Sequence, residues 1–244
     1  MTIDSSNIVS RQMQQRTIED YTGENDKFDL AVIPDFDSKA ISAFVVPTAL
    51  VDAFRIFTLA HMYDNEEVTF LLDNVKQGEI FWEAFNIIFD LPLKKEPKLI
   101  RNTVWYGDFG DRRHEVCYDM GIRIGPTRQE KEQIVDHMSG KFRPGFKTTD
   151  NDYFVYSIHH MSKNHKGVDQ FFLDKMIEMF INSGGIDLGN SRDFNTTDEL
   201  VDKMKLLANA SCYIGTKTSW INLSRFFSVP GMALYQHSPH RSKW

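Results

Sequence analysis

Four consecutive residues, Thr216, Lys217, Thr218 and Ser219, carry the clearest chemical signal in the chain. They follow a short apolar strand (Cys212-Tyr213-Ile214) and a tight turn at Gly215, and they precede an amphipathic helix. Hydroxyls and free backbone N–H groups at a helix N-terminus favour an anion, since the positive end of the helix dipole points there. A phosphate-bearing ligand is the expected occupant, although Thr and Ser also serve as ordinary helix caps. A second basic loop, with His159, His160, Lys163, His165 and Lys166, follows the apolar run Tyr153 to Ile158. Lysines at a strand's C-terminal end can neutralise the charge of an anionic ligand. Lys166 is the preferred candidate and Lys163 the second.

Carboxylates form the other half of the chemistry. Asp35 and Asp37 follow the apolar run Phe28 to Ile33, and a carboxylate at a strand end can serve as a general base. A Pro-Asp turn accounts for the same residues without catalysis. Asp108 and Asp111 are reserve bases, and Arg112 and Arg113 beside them suit an anionic acceptor. Asp187 and Asn190 follow a short strand and are expected to contact a nucleotide base or ribose, or to form a turn. Gln236, His237 and Ser238 follow the last apolar strand. No metal site is expected, because no cysteine or carboxylate stands at ligand spacing near the histidines.

These residues need elements to hold them. The pattern predicts strands at 28–33, 67–72, 99–106, 153–158, 185–188, 212–214 and 232–235. Helices are predicted at 40–62, kinked or begun by Pro47, and at 79–89, 128–138, 168–182 and 197–208, with another after Ser219. Asn195-Thr196-Thr197 signals the cap of the 197–208 helix. Strands alternating with helices imply parallel sheets with right-handed crossovers. The expected fold class is therefore α/β, with two small Rossmann-like domains facing a cleft. Residues 1–26 read as a polar N-terminal arm, 27–145 as one α/β domain and 146–244 as the other. The Pro, Gly, Lys and Thr of 142–150 read as the linker between them.

Bulk composition fits this picture. The chain has 244 residues, 41% of them hydrophobic, with 19 Phe, 8 Tyr and 4 Trp, enough for a sizeable core. Two cysteines, far apart, suggest a reducing cytoplasm. The first residues lack the basic start and apolar core of a signal peptide. No run approaches the roughly 20 apolar residues of a membrane helix. The formal net charge of −6 gives no nucleic-acid footprint, although a local basic groove can sit on an acidic protein.

The second half resembles the donor domain of GT-B glycosyltransferases, most closely the ADP-heptose heptosyltransferase family. The similarity spans about residues 150 to 239. YFVYSIHHMSKNHKGVDQFFLDKM matches that family's strand, lysine-bearing loop and helix, with Lys166 in the lysine's place. Ile186-Asp187-Leu188-Gly189-Asn190 matches its short strand and glycine. Ala210 to Ser224 matches "A-x-x-x-I-G-x-D-T-G-x-x-H-L-A", and Val229 to Tyr235 matches "V-P-x-x-A-L-Y". Lys217-Thr218-Ser219 stand where the family has D-T-G, and Asn222 stands in place of its histidine. The resemblance implies a compact glycosyltransferase without a metal or other cofactor, with a nucleotide sugar as co-substrate. The donor would be held by Lys163, Lys166, Asp187, Asn190, Thr216, Lys217, Thr218 and Ser219, and the base would be Asp35 or Asp37. The Asp35-Phe36-Asp37 spacing does not fall where a metal-dependent GT-A motif would. The acceptor stays open: a saccharide, a small molecule or modified DNA. Two other readings stand beside this one. The first is a binding module on a degenerate transferase fold. The second is a phage-type DNA-modifying transferase, with Arg112, Arg113, Lys141, Arg143, Lys147, His240, Arg241 and Lys243 along a basic groove.

Overall fold

A computed structural model describes residues 41, 43–63, 67–103, 117, 121–148, 152–158, 170–215 and 219–234. The described residues form an α/β protein with two four-stranded, wholly parallel sheets and six helices. In chain order the elements are β1 (Ala43–Val46), α1 (Leu50–Tyr63), β2 (Thr69–Leu72), α2 (Val75–Ile88), β3 (Lys98–Arg101), β4 (Ile122–Arg123) and α3 (Arg128–Met138). They continue with β5 (Val155–Ser157), α4 (Gln170–Asn182), β6 (Ile186–Asp187), α5 (Thr197–Ala208), β7 (Tyr213–Gly215), α6 (Ser219–Phe226) and β8 (Gly231–Ala233). They divide into two compact units. One takes the described residues up to Thr48, then Asp52–Asn86 and Asp90–His137; the other takes Ala49–Val51, Ile87–Phe89 and the described residues from Met138 on.

In the first unit the strand order is β3-β2-β1-β4. β1 corrects the sequence reading, which ran one helix from Ala40 to Met62. Ala43, Phe44, Val45 and Val46 are all buried, as expected for a central strand paired on both sides. A continuous apolar run has no periodicity of its own, so strand and helix look alike in it. Pro47 settles the matter, because it pushes Val46 out of the helical region and into extended backbone. The helix then starts at Leu50. Side chains alternate across the sheet. Phe44 and Phe70 meet the aromatic layer of the helices, where Phe57 of α1 lies 5.0 Å from Phe70, 5.1 Å from Trp82 and 5.4 Å from Phe85. Ala43, Val45 and Leu71 pack with Cys117 and Ile122 in a separate cluster.

The second unit has the order β6-β5-β7-β8. From β5 the chain crosses to β6 on one side, then returns past β5 to β7 on the other. Right-handed crossovers in opposite directions put α4 on one face and α5 with α6 on the other. Tyr156, Ile158 and Phe180 form the core of the α4 face, with Ile177, Ile214 and Leu234 packed against it. α4 ends as its sequence predicts. Gly184 takes a φ of 77°, its N–H meets the Ile181 carbonyl at 3.0 Å, and the Gly185 N–H reaches Phe180 at 2.8 Å. This is a Schellman closure, which needs a residue tolerant of left-handed backbone.

Residues 142–148, read from sequence as linker, are packed into this second unit. Phe142 and Phe146 lie 5.5 and 6.0 Å from Phe227, and Phe142 lies 5.4 Å from Phe89. Lys147 Nζ donates to the Phe227 carbonyl. The Thr148 hydroxyl donates to Asn209 Oδ1 at 3.0 Å. Pro and Gly gave the segment a linker's composition, but Phe146 is buried and Phe142 half-buried against Phe227. Among the described residues, no helix is long and apolar enough to cross a membrane.

Candidate functional site

Open parallel sheets bind ligands outside the C-terminal ends of their strands, where the chain order reverses. In the second unit that place lies between β5 and β7, which pair through Ser157 and Gly215. The glycine there is dictated by space. A Cβ on Gly215 would lie 2.3 Å from the Tyr213 hydroxyl and 2.4 Å from the Ser157 carbonyl oxygen, closer than any real Cβ sits. The sheet is therefore tight at its switch point, where the Tyr213 hydroxyl and the Ser157 carbonyl close on Gly215.

Three strand-end segments are fastened there to one atom. The Gly189 carbonyl oxygen accepts from the Ser157 hydroxyl at 2.8 Å and from Trp220 Nε1 at 3.1 Å. Ser157 closes β5, Gly189 follows β6, and Trp220 is in the first turn of α6. Trp220 is fully buried and meets Phe194 edge to face at 6.1 Å. The turn after β6 is set by Asp187, whose Oδ1 accepts from the Gly189 N–H at 2.8 Å, with Gly189 at a φ of 66°. Asp187 and Asn190 are both exposed on this turn. Ser219 begins α6 and is half-buried beside Trp220. Through the Gly189 carbonyl, the structure thus brings the Asp187–Asn190 turn and the start of α6 to one place.

Lys203 was not signalled by sequence. On α5, it lies with Nζ 3.6 Å from where a Cβ on Gly189 would stand, 3.3 Å from Glu199 Oε1, and 5.5 Å over the Phe194 ring. It sets a cation beside the turn. Only its i,i+4 spacing from Glu199 was visible in the sequence, and that spacing signals a helix pair rather than a site. The Glu199 carboxyl is held below the ordinary glutamate range, first by the Asn195 backbone N–H, with burial opposing and Lys203 assisting. Burial, and after it the Asp187 charge, raises the Tyr156 phenol above its ordinary value.

The remaining sequence candidates, namely Asp35, Asp37, Asp108, Asp111, Arg112, Arg113, His159, His160, Lys163, His165, Lys166, Thr216, Lys217, Thr218, Gln236, His237, Ser238, His240, Arg241 and Lys243, lie outside the described residues. Of the basic residues assigned to a nucleic-acid groove, Lys147 is committed to the Phe227 carbonyl. An open depression of about 380 Å³ lies elsewhere, lined by Thr148, Tyr153, Asp202, Lys205, Leu206 and Asn209. Tyr153 precedes β5, so this depression is at the other end of the strand from Ser157. Among the described residues, no group of three or more His, Cys, Asp or Glu is arranged to hold a metal ion.

No protein-family model matches the chain, and no curated protein or solved structure is significantly similar to it.

Proposed function

We propose that the chain is a compact GT-B-like glycosyltransferase that takes a sugar from a nucleotide-sugar donor. The observation that carries this reading is the frame at the β5/β7 switch point. A glycine-tight strand end, the Asp187–Asn190 turn and the start of α6 are tied together at the Gly189 carbonyl. The order β6-β5-β7-β8 agrees with a nucleotide-binding half-fold, and in the sequence Lys166 follows β5 and the 216–219 segment follows β7. In this reading the diphosphate lies against the 216–219 segment and Lys166, while Asp187 and Asn190 face the nucleoside. Asp35 or Asp37 takes the acceptor's proton as its oxygen displaces the nucleoside diphosphate at the anomeric carbon. The two domains would face one another across a cleft holding both substrates.

Calorimetric titration with UDP, ADP, GDP and CMP tests the donor site. One nucleotide should bind saturably, and Lys166→Met should weaken it. If none binds, the donor-site reading is wrong. Transfer or hydrolysis of the matching nucleotide sugar then separates an enzyme from a binding module.

A further inference from the structure

Two helix ends in the first unit are joined by a bond between imidazoles. His61 stands in the last turn of α1 and His137 in the last turn of α3. His61 Nδ1 and His137 Nε2 are 2.9 Å apart, with ring centroids 5.1 Å apart. This is an in-line hydrogen bond, in which one ring donates and the other must offer a bare nitrogen. Two neutral rings satisfy it, and so do one cation and one neutral ring. Two cations cannot, because both facing nitrogens would then carry a proton. That holds whichever ring donates.

We propose that His61 and His137 form a pH-sensitive latch between α1 and α3, closed while the pair carries at most one positive charge and opened by the second proton. The first charge suits the site, since each last turn carries the negative end of a helix dipole. The second proton enters at the shared position, breaks the bond and sets two cations face to face. Both rings are half-buried, so water screens that repulsion less than at an open surface. The described charged groups nearby are already engaged or exposed. Glu130 lies seven residues before His137, about 10 Å along α3. Its carboxylate is met by Arg123 of β4, by the Thr127 N–H and by the Tyr63 hydroxyl of α1. On α1, Arg55 and Asp52 pair with one another at 2.8 Å. Lys131, Glu132 and Asp136 of α3 are exposed. Because Tyr63 and Glu130 hold the start of α3, acid frees the end of that helix. His137 is also the last residue of the first unit, so the latch holds the point where the chain leaves it.

In the unfolded chain both histidines take up protons near about pH 6.5. Below that value the unfolded state binds two and the latched state at most one, so stability falls as pH falls. The test is urea unfolding of the full chain across this range, for wild type, His61→Asn and His137→Gln. In each variant an amide replaces one facing nitrogen, and its carbonyl can accept from the remaining ring when that ring is charged. The chain has eight histidines, and comparison with the variants cancels the other six. The folding constant of wild type should fall by about tenfold relative to either variant between about pH 6.5 and 5.5, the loss expected for one proton across one pH unit. The same pH dependence in wild type and both variants overturns the proposal. A second measurement needs no variant: an NMR titration of the wild-type ring resonances. The two rings should charge in separate steps, the later one shifting the amides in the last turn of α3. Joint charging of both rings, or amides that stay unchanged, overturns it equally.

Discussion

At the scale of single residues, Gly215 and the Gly189 carbonyl carry the sharpest expectations. Gly215→Ala forces a methyl group against both the Tyr213 hydroxyl and the Ser157 carbonyl. Overpacking of this kind costs about 1–3 kcal/mol, and here the upper end applies because one neighbour is backbone. Tyr213→Phe in the Gly215→Ala background should recover only part of the loss in urea unfolding, since the Ser157 contact stays. The Gly189 carbonyl accepts two donors, so losing one leaves it satisfied. Ser157→Ala alone should cost about 0.5–1.5 kcal/mol. In a Trp220→Phe background the same change should cost more, because the carbonyl is then left with neither donor. Equal costs in the two backgrounds would show that the shared acceptor does not couple them. Glu199 supplies the pH dependence. Its folded value lies below the ordinary one, so its stabilisation is complete above about pH 4.3 and is lost as pH falls through the lowered native value. Wild type and Glu199→Gln should therefore differ in denaturant midpoint at neutral pH, and converge as the pH falls through the lowered native value.

At the scale of elements, the start of α3 shows what local sequence can and cannot reveal. Thr127 and Glu130 cap it reciprocally: the Glu130 N–H meets Thr127 Oγ1 at 3.1 Å, and the Thr127 N–H meets Glu130 Oε2 at 2.6 Å. This spacing is legible in the chain, and the helix was predicted at 128–138. The partner of Glu130 was not legible. Arg123, buried at the end of β4, donates to Glu130, as does the Tyr63 hydroxyl from α1. Those meetings depend on the sheet order, which residue spacing does not encode. They also predict unequal costs. Thr127→Ala removes a cap, at about 1 kcal/mol. Glu130→Ala removes the cap's second half and strips a buried guanidinium of its carboxylate, a loss of about 3–5 kcal/mol. Equal midpoints for the two variants in urea would show that Arg123 does not depend on Glu130. Elsewhere, capped or glycine-closed helices such as α4 and α5 were read well. β1 was misread because an unbroken apolar run lacks a period, and its fate was decided by Pro47 and by pairing with β2 and β4.

At the scale of the whole molecule, two parallel sheets were legible because apolar runs and helical patterns alternate in the sequence, as strands and helices do through most of the described residues. The candidate site was legible only in part. Asp187, Asn190 and Ser219 were singled out from sequence and do gather near the Gly189 carbonyl, whereas Ser157, Trp220 and Lys203 were not foreseen. Their roles arise from crossovers that bring β5, α5 and α6 together, and no local pattern announces such a meeting. The proposed donor site makes a prediction for the folded chain as a whole. A nucleotide present at a hundred times its dissociation constant stabilises the native state by about 2.7 kcal/mol. For a cooperative unit of about 150–250 residues, the size of the whole chain, that raises the thermal midpoint by about 5–10 °C. Asp35→Asn and Asp37→Asn should leave that shift intact, because the proposed base faces the acceptor rather than the nucleotide. One of them should instead lower transfer by about 10²–10⁴-fold, as expected when a general base is lost. A nucleotide shift with no transfer from any matching sugar donor would favour a binding module on the same fold. Salt-sensitive binding to duplex DNA, together with transfer onto it, would identify the acceptor as nucleic acid, since phosphate contacts weaken steeply as counterions accumulate.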